Sequence, residues 1–271
     1  MHVVLSGAAG GIGRRIASAL VDADHRVTAL DRDEEGLASL PDAVDTRVVD
    51  LTEPDAVATE LDGVVADAVV TSAGWYAIGA LEDCSPERFR RHLDANLASV
   101  HAVVHPLLPG LRSRGGRVVL VGSTVGSVPL PFHGGYSAAK AGVAAYADAL
   151  RRETAAYDVD VSLIEPGPTR TGLNERAAAS LATDDGANVP ASPYADAYAS
   201  FDRYSPESVS PDAVADAVVR AVTASRPNAR YRVGTRARWL PRLAAVVPTS
   251  LFDRIVRAGM PDGWLGRLID E

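Results

Sequence analysis

The chain has 271 residues, 47% of them hydrophobic, and a formal net charge of −8. That length and apolar content support one large α/β domain with a sizeable core and fall short of two. The acidic balance and the absence of any basic, aromatic-interleaved run argue against a nucleic-acid partner. The single cysteine, Cys84, rules out an intrachain disulfide or a cysteine zinc cluster and reads as a half-buried small residue.

In chain order, short valine-rich runs alternate with helical patterns. The runs are Val3–Leu5, Arg26–Leu30, Thr46–Val49, Ala68–Thr71, Arg117–Val121 and Val159–Ile164, most of them apolar on both faces, with a last strand expected at Arg230–Val233. The helical patterns are Ile12–Asp22, Pro54–Leu61, Pro86–Leu111, Tyr136–Tyr157 and Pro211–Ala224. This alternation predicts a doubly wound parallel sheet, a Rossmann-like three-layer α/β/α arrangement in one domain over 1–271. The stretch from about 168 to 210 has weak periodicity and reads as a substrate loop. Residues 239–260 read as one or two short amphipathic helices. No window approaches ~18 uninterrupted apolar residues, so no membrane span is expected. The N-terminus enters an apolar run at His2 with no charged leader, which points to a cytoplasmic protein.

Between the first run and the first helix lies Ser6-Gly7-Ala8-Ala9-Gly10-Gly11-Ile12-Gly13. Glycines at a strand–helix junction permit a tight turn and close approach of backbone to a diphosphate, and the helix N-terminus favours the anion. The second run ends at Asp31-Arg32. An acidic residue there accepts from adenosine ribose hydroxyls and repels a 2′-phosphate, while an arginine receives that phosphate. No basic residue lies inside the glycine loop, and the balance favours NAD over NADP. Asp50 ends the third run, placed either to meet the adenine edge or to cap a turn with Thr52.

Only one of the 27 basic residues is a lysine, Lys140, four residues after Tyr136. On a helix the two share a face one turn apart. A phenol ordinarily titrates near ~10. A cation about 4 Å away, at an effective dielectric of about 20, would lower it by roughly three units, toward working pH.

Taken together, Gly7-x-x-x-Gly11-Ile12-Gly13, Asp50-Leu51, Ala73-Gly74, Asn96, Ser123, Tyr136-x-x-x-Lys140 and Pro166-Gly167-x-Thr169 resemble the short-chain dehydrogenase/reductase family in its short, single-domain branch. The tail after Pro211 is loosely similar to steroid- and retinol-type members. The resemblance implies an NAD(P)-dependent oxidoreductase. Tyr136 is its acid–base, and Lys140 lowers the Tyr136 pKa and binds the nicotinamide ribose. Ser123 stabilises the substrate oxygen, Asn96 holds a water behind the lysine, and Thr169 meets the carboxamide above Pro166 and Gly167. Gly7, Ala9, Gly11, Ile12, Gly13, Asp31, Arg32, Asp50, Leu51, Ala73 and Gly74 complete the implied dinucleotide site. The family commonly has two asparagines where this chain has Thr71 and Ser72, whose hydroxyls are expected to bond backbone instead.

Apolar residues near these motifs, among them Trp75, Tyr76, Val125 and the run from Val128 to Phe132, suit a lipophilic alcohol, ketone or aldehyde. His133 reads as a solvated loop residue. A homodimer or homotetramer, joined through the helices around 86–111 and 136–157, is expected from similar proteins. A catalytically silent dinucleotide-binding sensor or scaffold is the competing reading, opposed by the complete set Ser123, Tyr136 and Lys140.

Overall fold

Among the described residues seven strands form the sheet: β1 (His2–Ser6), β2 (Arg26–Asp31), β3 (Val44–Val48), β4 (Ala68–Thr71), β5 (Arg117–Val121), β6 (Asp160–Pro166) and β7 (Arg230–Val233). The structure is a computed structural model that describes residues 1–171, 192–201 and 208–260. The strand order is β3-β2-β1-β4-β5-β6-β7 and every pairing is parallel. The valine runs of β4 and β5 are buried along nearly their whole length, because helices cover both faces. β3 departs from that pattern. It is an edge strand with Asp45, Thr46 and Val48 exposed, and it begins at Val44, earlier than its apolar run suggests.

Helices α1 (Gly11–Asp22), α2 (Glu34–Ala38) and α3 (Pro54–Glu60) follow the first three strands. Ser85 caps α4 (Pro86–Leu93) by accepting from the Arg88 backbone N–H, with Pro86 in the first turn, where its missing N–H is harmless. The long helix expected over Pro86–Leu111 is interrupted. A π-helical turn at Asp94–Ala98 separates α4 from α5 (Ser99–Arg114), which ends on Gly115 in the left-handed conformation. Next come a short helix, α6 (Thr124–Ser127), and α7 (Gly134–Thr154), which carries Tyr136 and Lys140 and closes with a 3-10 turn through Tyr157.

Part of the stretch expected to be irregular is a helix, α8 (Ala195–Phe201), while residues 172–191 and 202–207 lie outside the described residues. Then follow α9 (Pro211–Thr223), α10 (Thr235–Val246) and α11 (Thr249–Ala258). One core layer packs Ile16 and Leu20 of α1 and Val214 and Val218 of α9 on the sheet. The other packs Val57 of α3, Val103 and Leu107 of α5 and Val143 and Leu150 of α7 on the opposite face. β1 and β4 lie side by side where the chain turns from building one half of the sheet to building the other, and the crevice above such a switch point is where doubly wound sheets place ligands.

Candidate active site

The glycine run forms the floor of one end of that crevice. Gly7 has φ +73, and a Cβ there would lie 2.2 Å from the Ala73 backbone nitrogen. A Cβ on Gly13 would lie 2.0 Å from the Gly7 carbonyl oxygen. The loop thus presses against both β4 and the first turn of α1, leaving backbone rather than side chains facing the cleft. Gly10 caps α1 with no side-chain hydrogen bond and no acidic residue follows in the first turn, so that helix end is open to an anion.

Asp31 sits above this loop. Its carboxylate accepts from the backbone N–H of Ala9 (3.0 Å) and of Asp33 (3.2 Å), so it also ties the loop to β2. Arg32 faces Asp50 at 3.8 Å, with both side chains largely in solvent. Asp50 accepts from Thr52 at both the backbone N–H (2.9 Å) and the hydroxyl (2.7 Å), and these bonds lower its pKa. The turn-capping reading of Asp50 therefore holds, although Asp50 and Leu51 also line the cleft. Arg14, directly after the glycine run, lines the cleft too and donates from Nε to the Ala9 carbonyl at 2.7 Å. This arginine stands one place beyond the last glycine, just outside the loop that itself carries no basic residue.

The cleft, about 1620 Å³, runs from the glycine loop past Ala73 and Gly74 to Ser123, Tyr136, Lys140, Pro166, Gly167 and Thr169. Ser123 and Tyr136 line the cleft together, and Ser123 lowers the Tyr136 pKa against the effect of burial. Ser123 also accepts from the Val125 N–H at 3.3 Å, capping α6. Lys140 is buried and donates to the Val121 carbonyl at 3.0 Å, with Nζ 5.7 Å from the centre of the Tyr136 ring. Asn96 is fully buried within the π turn, not solvent-facing as its helical pattern allowed. Its Nδ2 donates to the Trp75 and His92 carbonyls (2.7 and 3.0 Å), and its Oδ1 accepts from the Trp75 N–H at 3.3 Å. It thereby fixes the backbone just after Gly74. Thr169 is buried and its hydroxyl donates to the Gly167 carbonyl at 3.0 Å.

Two expectations fail here. Burial pushes the Tyr136 phenol up to about 12, against the opposing pull of Ser123, so Lys140 does not bring it toward neutrality. The ammonium is turned toward Val121, and loss of water around the phenol outweighs its field. Burial also brings Lys140 down to about 8. Second, the Thr71 and Ser72 hydroxyls are buried without a hydrogen-bond partner among the described residues, while the turn itself survives through the Ser72 N–H to Ser6 carbonyl bond at 2.9 Å.

The cleft has many apolar lining residues, although Glu87, Arg90, Arg91, Asp94 and Arg236 also line it. Trp75, Tyr76, Val125, Val128 and Leu130 line it as expected, whereas Phe132 packs behind them in an aromatic cluster with Tyr194, Tyr198 and Phe201. The Tyr76 and Tyr136 ring centres are 4.8 Å apart. His133 is not a solvated loop residue. It lines the cleft, bonds the Pro131 carbonyl through Nδ1 at 2.6 Å, and its pKa is lowered by burial. Leu240, Ile255, Val256 and Met260 close the far wall, a contribution no local motif announces. The α8 segment is held to the loop after Ile78 by Asp83, which accepts from the hydroxyls of Tyr198 and Ser192, the latter at 2.6 Å. Behind Ser123, the buried Glu165 carboxylate accepts from the Ser127 hydroxyl at 2.5 Å and meets Arg230 and Arg232, each at 3.1 Å.

The cleft above the glycine loop, whose close backbone packing Gly7 and Gly13 permit, fits a dinucleotide, and the comparisons agree. A family model described as short chain dehydrogenase matches residues 1–182. Dehydrogenase/reductase SDR family member 7B of Xenopus tropicalis is 29% identical over 271 residues, spanning 92% of this chain and 82% of that protein. Retinol dehydrogenase 7 of Mus musculus is 29% identical over 276 residues, spanning 94% of this chain and 87% of that protein. An oxidoreductase of the short-chain dehydrogenase/reductase family from Burkholderia thailandensis has 31% identity and a TM-score of 0.72, covering 90% of this chain and 95% of that one. The chain belongs to the short-chain dehydrogenase family, a family of oxidoreductases that bind a nicotinamide cofactor.

Proposed function

We propose that the protein interconverts a lipophilic secondary alcohol and its ketone, or an alcohol and an aldehyde, with Tyr136 as the acid–base group. The observation that carries this reading is the gathering of Ser123, Tyr136 and Lys140 in the one cleft that the glycine loop floors. A nicotinamide cofactor, held by the residues named below, would supply or accept the hydride. The phenol, kept protonated by burial, gives its proton to the carbonyl oxygen in reduction and recovers it in oxidation. Ser123 is placed to donate to the same oxygen and stabilise its developing charge. Lys140, anchored on Val121, supplies a buried cation beside both groups, and Asn96 fixes the backbone that borders it.

Gly7, Ala9, Gly11, Ile12 and Gly13 would hold the diphosphate, with Asp31, Arg32, Asp50 and Leu51 around the adenosine. Ala73 and Gly74 would line the middle of the cofactor, and Pro166, Gly167 and Thr169 the nicotinamide end, where Tyr136 and Lys140 meet its ribose. The Asp31 carboxylate beside Ala9 and the pairing of Arg32 with Asp50 favour NAD over NADP. The retinol dehydrogenase relative, named for a lipophilic alcohol, agrees with the apolar wall. A cytoplasmic homodimer or homotetramer completes the reading.

The test is a panel of ketones and aldehydes of graded apolar size and of charged carbonyl compounds, assayed with NADH and NADPH. Turnover should favour large apolar carbonyls and NADH, and Asp31→Ala should narrow the cofactor preference. Turnover confined to charged or sugar substrates would overturn the proposed substrate class.

A further inference from the structure

Helices α10 and α11 form an exposed pair beside the cleft. On α10, Trp239, Leu243 and Val246 are 63%, 37% and 78% exposed, and their spacing of four and three residues puts them on one face. On α11, Leu251 and Ile255 are 50% and 39% exposed, again one turn apart. These five make up half of the ten exposed large hydrophobic residues among the described residues, concentrated in 24 positions. The same stretch carries five exposed arginines, Arg236, Arg238, Arg242, Arg254 and Arg257, against a single acid, Asp253. In a chain of net charge −8 this surface is locally cationic. The Arg242 guanidinium lies 5.4 Å from the centre of the Trp239 ring.

We propose that this face docks on an anionic lipid bilayer. A helix with an aromatic and aliphatic stripe flanked by arginines lies in the plane of a membrane interface, apolar side chains in the headgroup–acyl boundary and guanidinium groups at lipid phosphates. A second copy of the chain suits the surface poorly, because a two-fold contact through it would bring two sets of five arginines together with only Asp253 from each copy to offset them. The same helices supply Leu240, Ile255 and Val256 to the cleft wall, so the docked face borders the cleft. Resting on the lipophilic substrate proposed above, this placement lets an apolar substrate pass from the bilayer to Tyr136 without crossing bulk water.

The experiment is co-sedimentation of the full chain with vesicles of phosphatidylcholine alone and of phosphatidylcholine mixed with phosphatidylserine, at low and high salt. Binding should need phosphatidylserine and weaken with salt. Arg238→Gln/Arg242→Gln should lower the partition coefficient roughly 25-fold, about fivefold per arginine. Trp239→Ser/Leu243→Ser should also weaken it, while both variants keep the wild-type rate on a short water-soluble ketone. Absence of binding to phosphatidylserine vesicles at low salt, or wild-type binding by both variants, would overturn the proposal. So would concentration-dependent dimerisation that the same substitutions abolish. Vesicle binding without turnover of any carbonyl would sink the enzymatic reading and leave the docking surface standing.

Discussion

Lys140 offers a test that needs neither substrate nor cofactor. It is the only lysine, it is buried, and burial lowers its pKa from the ordinary 10.5 to about 8. A group whose folded pKa is depressed binds fewer protons folded than unfolded between those two values. The stability it confers is therefore complete above 10.5 and is lost as pH falls through about 8. The full window corresponds to about 3 kcal/mol, of which about 2 kcal/mol falls between pH 7 and 9.5. Lys140→Met removes the titration and keeps much of the volume. Thermal unfolding of the cofactor-free wild-type and variant proteins, followed by circular dichroism over that range, isolates it, since every other titrating group is common to both. The wild type should gain on the variant by roughly 4–8 °C as pH rises from 7 to 9.5. A difference between the two that stays constant with pH would show that the buried ammonium does not pay this desolvation cost.

Other predictions concern the shell around the site. Gly13→Ala forces a Cβ to within 2.0 Å of the Gly7 carbonyl, so a shift of the loop should cost about 1–3 kcal/mol and weaken dinucleotide binding at least tenfold. Unchanged binding, measured by NADH fluorescence, would contradict that. Glu165→Gln leaves Arg230 and Arg232 without their buried carboxylate and should lower stability by about 3 kcal/mol or more in chemical denaturation. A variant as stable as wild type would show the cluster to be dispensable. Tyr198→Phe removes the hydroxyl that bonds Asp83 and accepts from the Ala80 N–H at 2.8 Å. Its expected signature in steady-state kinetics is a raised KM with kcat nearly unchanged, and a fall in kcat alone would refute the idea that this bond only seats α8.

What could be read from the chain and what could not divide along a physical line. Valine runs between helical patterns mark buried parallel strands because both the burial and the period are local, and all seven expected strands lie within about two residues of the observed ones at both ends for that reason. The glycine run and the Tyr136–Lys140 spacing are likewise local, and the fold brings both to one cleft. The π turn that buries Asn96 has no composition signal of its own, since the preference arises from the bonds Asn96 makes to residue 75. The α10–α11 wall lies some 100 residues beyond Tyr136 in sequence, so nothing near the motif indicates it. The Tyr136 titration does not follow from sequence, because spacing gives only a pairwise Coulomb term, whereas desolvation depends on Tyr76, His92 and the rest of the enclosing wall.

The most direct test of the central claim compares wild type with Tyr136→Phe, which removes the phenolic oxygen and preserves the ring packed 4.8 Å from Tyr76. Carbonyl reduction should fall roughly 100-fold or more in kcat, while NADH affinity stays within about threefold of wild type. A phenylalanine variant that reduces the same carbonyl at the wild-type rate would show that the proton comes from elsewhere and that Tyr136 is not the acid.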